Sequence, residues 1–525
     1  LTIASQPDGA LEILNIRDLS PLTDIAVQYS LVLDILNYTW TNGATVPTAV
    51  EEVCKSINEL IPTLQNVFKS TDAVTFITFV ASFLPKLKPE VSTSPSYMIL
   101  FSDLSQALPG DPLWLKPLVS VLRKLVTSRP TLAGRAAYTQ LAAALLQAYP
   151  ATCPQLLFKD NAPSNSNTKP FSYLFVNLLL IDIRSSFPTL LSQLNNTEYP
   201  AVSQRLAAAF DVISSFIGFL VRSLDEESGV LAFGMPPDLL LKLRKDIAET
   251  MSLTIEYLRD RWDASVAGAS GLHPSARTER TATSEGTRLT LTWDSTKDDV
   301  NSDPLILAGI RALAIWIRED ENENLRNESA GIMDMLVELY KTSTQGKVES
   351  RYPILLALEG ILTTENGVES FLGQDGWKVV VQDLEQILRN VSSEPASRNS
   401  SNEAARGLEI VRVLLAVIDS PSTSSPQEHW MGAITTVASM KVPPQTSTPI
   451  ILEFQISMLQ LATALLSEAA GGMQKRYVTS NAALSGLTNQ LEAIVKRVDD
   501  KAEATEFMAL LNDVSLDLEN LRFNS

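Results

Sequence analysis

An all-α architecture, an armadillo/HEAT-like α-solenoid of degenerate helical repeats, is what this 525-residue sequence predicts. Apolar residues recur at three-and-four spacing along nearly the whole chain, with almost no period-two alternation. The helical stretches are joined by short Pro-, Ser-, Asn- and Gly-rich connectors, so helix pairs return about every 40 residues, the period of armadillo and HEAT units. The stretch Asp303 to Asp320 adds a third observation. At helical spacing Ile306, Ile310, Leu313 and Ile317 share one face, Leu305, Gly309, Ala312 and Trp316 the adjoining one, and only a wedge around Arg311 and Arg318 is polar. A helix apolar over most of its circumference has to be packed on several sides.

A first helix is expected over 22–40. Between Pro47 and Ser70, Val50, Val53, Ile57, Leu60, Ile61, Leu64, Val67 and Phe68 build an amphipathic helix. Helices at 72–84 and 96–108 follow, then one from Pro112 to Thr127 whose Asp111-Pro112 start supplies a cap and a proline at the first helical position. An Ala-rich helix runs from Ala133 to Tyr149, followed by helices at 170–187, 200–224 and 237–262. The last of these has an apolar stripe from Leu240 through Leu243, Ile247 and Met251 to Trp262, with Lys242, Lys245 and Arg259 outside it. Beyond it come 303–321, 328–341, 351–364, 375–390, 402–419, 428–440 and 449–468, and Gly471-Gly472 reads as a C-cap and turn.

From Ala264 to Asp299 the chain turns small and polar, too poor in apolar groups to offset the entropy of ordering. A mobile loop is expected there, dividing an N-terminal helical-repeat lobe (1–263) from a C-terminal one (300–525). Within it, Arg288 to Trp293 alternates with period two and suits a short extended piece. At the C-terminal end Leu484, Leu487, Leu491, Ile494 and Val498, then Phe507, Leu511, Val514, Leu518 and Leu521, step by three and four. They predict a helical hairpin over 481–522 that caps the last core layer or, alternatively, mediates oligomerisation.

Composition narrows the function. A formal net charge of −18 argues against nucleic-acid binding, which needs clustered Lys and Arg, and favours basic partners. No uninterrupted apolar run reaches the roughly 18 residues of a bilayer span, while a local basic patch leaves peripheral membrane association open. Cys54 and Cys153 are too few and too far apart for a disulfide framework or a metal site, so reduced thiols and a cytoplasmic setting are expected.

Catalytic signatures are missing. The two histidines, His273 in the polar loop and His429 beside Trp430, lie in segments unsuited to a proton-transfer pair. No phosphate-cradling glycine loop, zinc motif or calcium loop occurs, so no cofactor is expected. What remains are surface charges. Asp303 before Pro304 suits a helix cap. Arg311 and Arg318 either line the concave surface on which solenoids grip a peptide or helix, or pair with acids of a neighbouring repeat. The acidic run Glu319, Asp320, Glu321 and Glu323 opposes the helix dipole, so it is either solvated or a contact for a basic partner.

The run Asp303-Pro-Leu-Ile-Leu-Ala-Gly-Ile-Arg-Ala-Leu-Ala-Ile-Trp316 with the acidic stretch after it resembles the core region of the neurochondrin family. Pro21-Leu-Thr-Asp-Ile-Ala26 and Leu31-Val-Leu-Asp-Ile-Leu36 look like an earlier segment of that family. The resemblance implies an armadillo-like fold and a cytosolic adaptor role, with no active-site residues to carry over. Sequence reading thus points to a helical-repeat scaffold that binds protein partners without catalysis. A helical-repeat regulator of a GTPase, acting as exchange factor or chaperone, is the alternative, and a hydrolase with a dispersed site a remote one.

Overall fold

The computed structural model describes residues 1–16, 18–68, 72–87, 112–128, 130–160, 169–225, 234–271, 300–343, 350–393, 398–423, 425–442 and 448–523. Among these residues every regular element is a helix, and consecutive helices pack on one another, as the three-and-four periodicity requires. The contacts divide the chain into two compact units, one ending at Trp316 and the other beginning at Ile317, so the division falls inside the helix Pro304–Glu319. Of the expected loop at 264–299, residues 272–299, with His273 and the Arg288 to Trp293 piece, lie outside the described residues.

In the first unit one row of helices runs through Leu31–Gly43, Ala73–Phe83, Leu132–Ala148 and Tyr199–Asp225, each packed on the next. Phe171–Leu190 lies against Tyr199–Asp225 and also against Pro237–Val266. Aromatic groups hold the start of the row: the buried Trp40 ring meets Phe83 edge-on at 4.9 Å, and its Nε1 donates to Ser56 Oγ at 3.0 Å. A buried indole with its N–H satisfied adds apolar area without a desolvation penalty.

In the second unit the corresponding row is Arg351–Ile361, Arg398–Ile418, Pro449–Glu468 and Lys501–Phe523. Asp383, on Gly376–Ser393, ties three segments together, accepting from Tyr340 Oη at 2.7 Å, Arg351 at 3.1 Å and Arg406 at 3.1 Å. Trp377 and Trp430 stack with ring centroids 4.1 Å apart, which places His429 in a turn edge-on to that stack.

Several expected elements differ in detail. The helix expected over 22–40 is two, Ser20–Ala26 and Leu31–Gly43, because the exposed Val27 to Ser30 turn lets each bury its own face. Residues 328–341 fall into Glu323–Ser329, a 3-10 turn and Met333–Thr342. The helix expected over 351–364 stops at Ile361; Thr364 then caps a further helix, Glu365–Gly373, by accepting from Gly367 N at 3.1 Å. Pro7–Leu14 and Cys153–Phe158 are short helices that the periodicity did not reveal. Gly471 and Gly472 open the one-turn helix Gly471–Gln474 rather than ending one, since Ala470 is extended. The helix expected at 96–108 lies outside the described residues. The expected C-terminal hairpin is present as Val478–Val495 and Lys501–Phe523, with the second helix laid against Pro449–Glu468.

Phe171–Gln193, Tyr199–Ser223 and Pro449–Glu468 are long and apolar enough to cross a membrane by length and composition. Charged or amide groups interrupt each apolar run: Asn177, Asp182 and Arg184 in the first, Arg205 and Asp211 in the second, and Glu453 and Gln455 in the third.

Candidate binding seam

A helix buried on most sides leaves only a narrow strip uncovered, and that strip is where polar side chains collect. Pro304–Glu319 follows the rule: Leu305, Ile306, Ile310, Leu313, Trp316 and Ile317 are buried, while Leu307, Arg311 and Ile315 are half-buried and Arg318 is exposed. Its start is fixed by Asp303, whose Oδ1 accepts from Leu305 N at 3.0 Å and from Ser203 Oγ at 2.6 Å, and whose Oδ2 accepts from Tyr199 Oη at 2.5 Å.

In the first unit the strip links neighbouring helices through short polar contacts. Asn37 Nδ2 donates to Ser82 Oγ at 2.8 Å. Further along, Asp211 accepts from Gln147 Nε2 at 3.0 Å and from Arg311 at 2.5 Å, joining Leu132–Ala148, Tyr199–Asp225 and Pro304–Glu319.

The second unit carries charge on the same kind of strip. Arg412 donates to Glu409 Oε1 at 2.8 Å and approaches Glu453 at 4.0 Å, across the packed helices Arg398–Ile418 and Pro449–Glu468. Burial pushes the Glu409 carboxyl above its ordinary value; Arg412 and Arg318 oppose the rise and Glu359 adds to it. Burial likewise raises Glu453, with Glu506 and Glu503 of Lys501–Phe523 adding to it and Arg412 opposing. Tyr352, lying among Glu409, Arg318, Arg412 and Glu359, is pushed up to about 12, chiefly by burial. Glu359 Oε2 and Glu409 Oε2 are buried and accept no hydrogen bond among the described residues. Buried acceptors without donors are uncommon in native proteins, and these two lie on adjacent helices of one row.

The acidic run after Arg318 is spread out by the fold. Glu319, Glu321 and Glu323 are exposed, Arg318 lies 3.6 Å from Glu319, and Asp320 is buried. Glu323 sits in the first turn of Glu323–Ser329, where a carboxylate complements the dipole and Asn322 supplies the cap. Glu359, Glu409 and Glu453 were not singled out from the sequence, because they lie on three separate helices and only packing brings them together. Among the described residues no three His, Cys, Asp or Glu side chains are grouped to hold a metal ion.

The family model described as Neurochondrin matches residues 1–442. The chain belongs to the neurochondrin family. An uncharacterised protein of Schizosaccharomyces pombe is 24% identical over 215 residues, which are 41% of this chain and 33% of that relative. The chain therefore aligns with about a third of that relative's length. The neurochondrin match includes the whole of Pro304–Glu319 and Arg398–Ile418 and ends before Pro449–Glu468 and the terminal hairpin.

Proposed function

We propose that this neurochondrin-family protein is a cytosolic scaffold that works by binding protein partners, without bond-making chemistry of its own, and that the charged strip of its second unit receives a basic segment. One observation carries the reading: Glu359, Glu409, Glu453, Glu503 and Glu506 lie on successive packed helices, with Arg412 and Arg318 opposing the acids at Glu409 and Arg412 opposing them at Glu453. Excess carboxylate on a surface of fixed spacing attracts Lys and Arg, and the surrounding low dielectric strengthens the attraction. The net charge of −18 steers basic partners toward it. Cys54 and Cys153, neither in a disulfide, suit a reducing compartment.

Fluorescence anisotropy with a labelled Lys/Arg-rich helical peptide and its Glu-substituted counterpart tests this. The basic peptide binds and the acidic one does not, and Glu453→Lys/Glu506→Lys weakens binding at least tenfold. Crosslinking to the bound peptide, with Arg311→Glu/Arg318→Glu alongside, locates it. Equal binding of both peptides, or crosslinks confined to the first unit, would overturn the assignment.

A further inference from the structure

The helix Leu31–Gly43 is apolar on two faces. Val32, Leu33, Leu36 and Trp40 turn inward and are buried, whereas Leu31 and Tyr38 are 52% and 43% exposed and Ile35 is half-buried. These last three are spaced i, i+4, i+7, the pattern with which one helix receives another, and Leu31 and Tyr38 stand about 10 Å apart along the axis. The turn before the helix extends the stripe at its Leu31 end. Val27 and Tyr29 are exposed there, Tyr29 by 61%, and so is Ile25 one turn earlier. Hydrogen bonds pin the turn: Tyr29 N donates to Ile25 O at 3.0 Å and Val32 N to Tyr29 O at 3.0 Å.

Both borders of the stripe are set by neighbouring segments. At 100° per residue Asp34, the only charged residue of the helix, flanks Leu31 and Tyr38 on one side. Beyond it Asn37 donates to Ser82 of Ala73–Phe83, whose exposed Thr75 and Thr78 are polar. Ile35 lies on the other side. There Asn42 donates to Ala4 O at 2.8 Å, which brings in the N-terminal segment with its exposed Ile3.

The charge around the stripe has one sign. Leu1 to Glu52 contains seven Asp and Glu and one basic residue, Arg17, which lies outside the described residues. Asp24 and Asp34 are exposed beside Ile25 and Leu31. A two-fold contact with a second copy would set these carboxylates against their own images, and an anionic bilayer would be repelled by them. A helix with leucines on one face and Lys or Arg on its flanks satisfies both the apolar stripe and its acidic border.

We propose that the Leu31/Ile35/Tyr38 stripe and the turn before it dock an amphipathic basic helix of a partner protein. The site belongs to the first unit and demands apolar anchors, which the charged strip of the second unit does not.

A labelled amphipathic peptide of about five helical turns, with leucines at the same i, i+4, i+7 spacing and lysines beside them, is the probe. Fluorescence anisotropy reads its binding to the full chain carrying Glu453→Lys/Glu506→Lys, so that the second unit's strip does not contribute. The peptide binds, a version with serine for leucine at unchanged charge does not, and salt weakens the complex. Leu31→Ser/Tyr38→Ser and Asp24→Lys/Asp34→Lys, all exposed substitutions, each weaken it about tenfold or more, with unchanged melting as the check on folding. No binding in the Glu453→Lys/Glu506→Lys background, equal binding of the serine peptide, or parent-like binding by either variant would overturn the proposal. So would a rise of mass with concentration, in sedimentation velocity of the protein alone, that Leu31→Ser/Tyr38→Ser abolishes, because a second copy would then occupy the stripe.

Discussion

Arg311 donates to Asp211 at 2.5 Å, across the faces of two helices separated by 100 residues of chain, and Gln147 occupies the other carboxylate oxygen. The Asp211 side chain is 12% exposed and the guanidinium 24%, so the pair is largely withdrawn from water. Removing one partner strands the other charge, which costs about 3 kcal/mol for a largely buried pair, whereas replacing both with apolar groups of similar volume costs far less. Asp211→Ala should lower stability by about that amount and Asp211→Leu/Arg311→Met by much less. Urea denaturation of the two variants measures it. Equal losses would mean that the ion pair is not what holds these helices in register.

How much of this was legible in the sequence depended on the range over which each feature is encoded. The nearly all-round burial of Pro304–Glu319 follows from the spacing of its own residues, and the structure bears it out from Leu305 to Ile317. Asp303 is similarly local, and its cap is present. The breaks at Val27 to Ser30 and at Leu362 to Thr364 were not legible, because no glycine or proline marks them and only tertiary packing selects where the helix ends. The meeting of Glu359, Glu409 and Glu453 was further out of reach, since the three lie on separate helices whose sequences do not specify how they are aligned.

Gly407 sits where Arg398–Ile418 packs against Phe454 of Pro449–Glu468. A Cβ added there would run into the ring of Phe454, which is wholly buried and has no free side to move toward. Alanine favours a helix over glycine by about 1 kcal/mol, but overpacking a rigid core costs about 1 to 3 kcal/mol. Gly407→Ala should therefore destabilise the protein despite its better helix propensity. Pairing it with Phe454→Leu should recover stability relative to the sum of the two single changes. A Gly407→Ala protein that melts higher than the parent would contradict the close approach.

The thiols make a separate check on packing. Cys153 is fully buried and its thiol is pushed up to about 12 by burial, while the half-buried Cys54 thiol is raised for the same reason. Thiolate is the reactive form, so neither should behave as an activated cysteine. With iodoacetamide at mildly alkaline pH, Cys54 should react slowly and Cys153 only as the fold opens, its rate rising with denaturant. Fast labelling of Cys153 in native buffer would show that Cys153–Phe158 is not packed as described.

Glu409 gives the protein a pH dependence whose sign can be derived. Its surroundings are Arg412 on its own helix, Glu359 and Tyr352 on Arg351–Ile361, Arg318 on Pro304–Glu319, and Glu453 next to Arg412 on Pro449–Glu468. Burial outweighs the arginines and raises the carboxyl above the ordinary glutamate value, so the folded chain keeps this proton at a pH where the unfolded chain has lost it. More protons bound in the native state means that stability from this group is complete below the unfolded value and declines as pH rises through the raised one. Glutamine carries no such proton. The stability of Glu409→Gln relative to the parent should therefore improve as pH rises from the ordinary carboxylate range toward neutrality. Denaturation midpoints of the two proteins across that range decide it. Parallel profiles would mean that Glu409 titrates alike in the folded and unfolded chains, and a basic peptide bound to the strip should flatten the difference by drawing the carboxylate into its charged form.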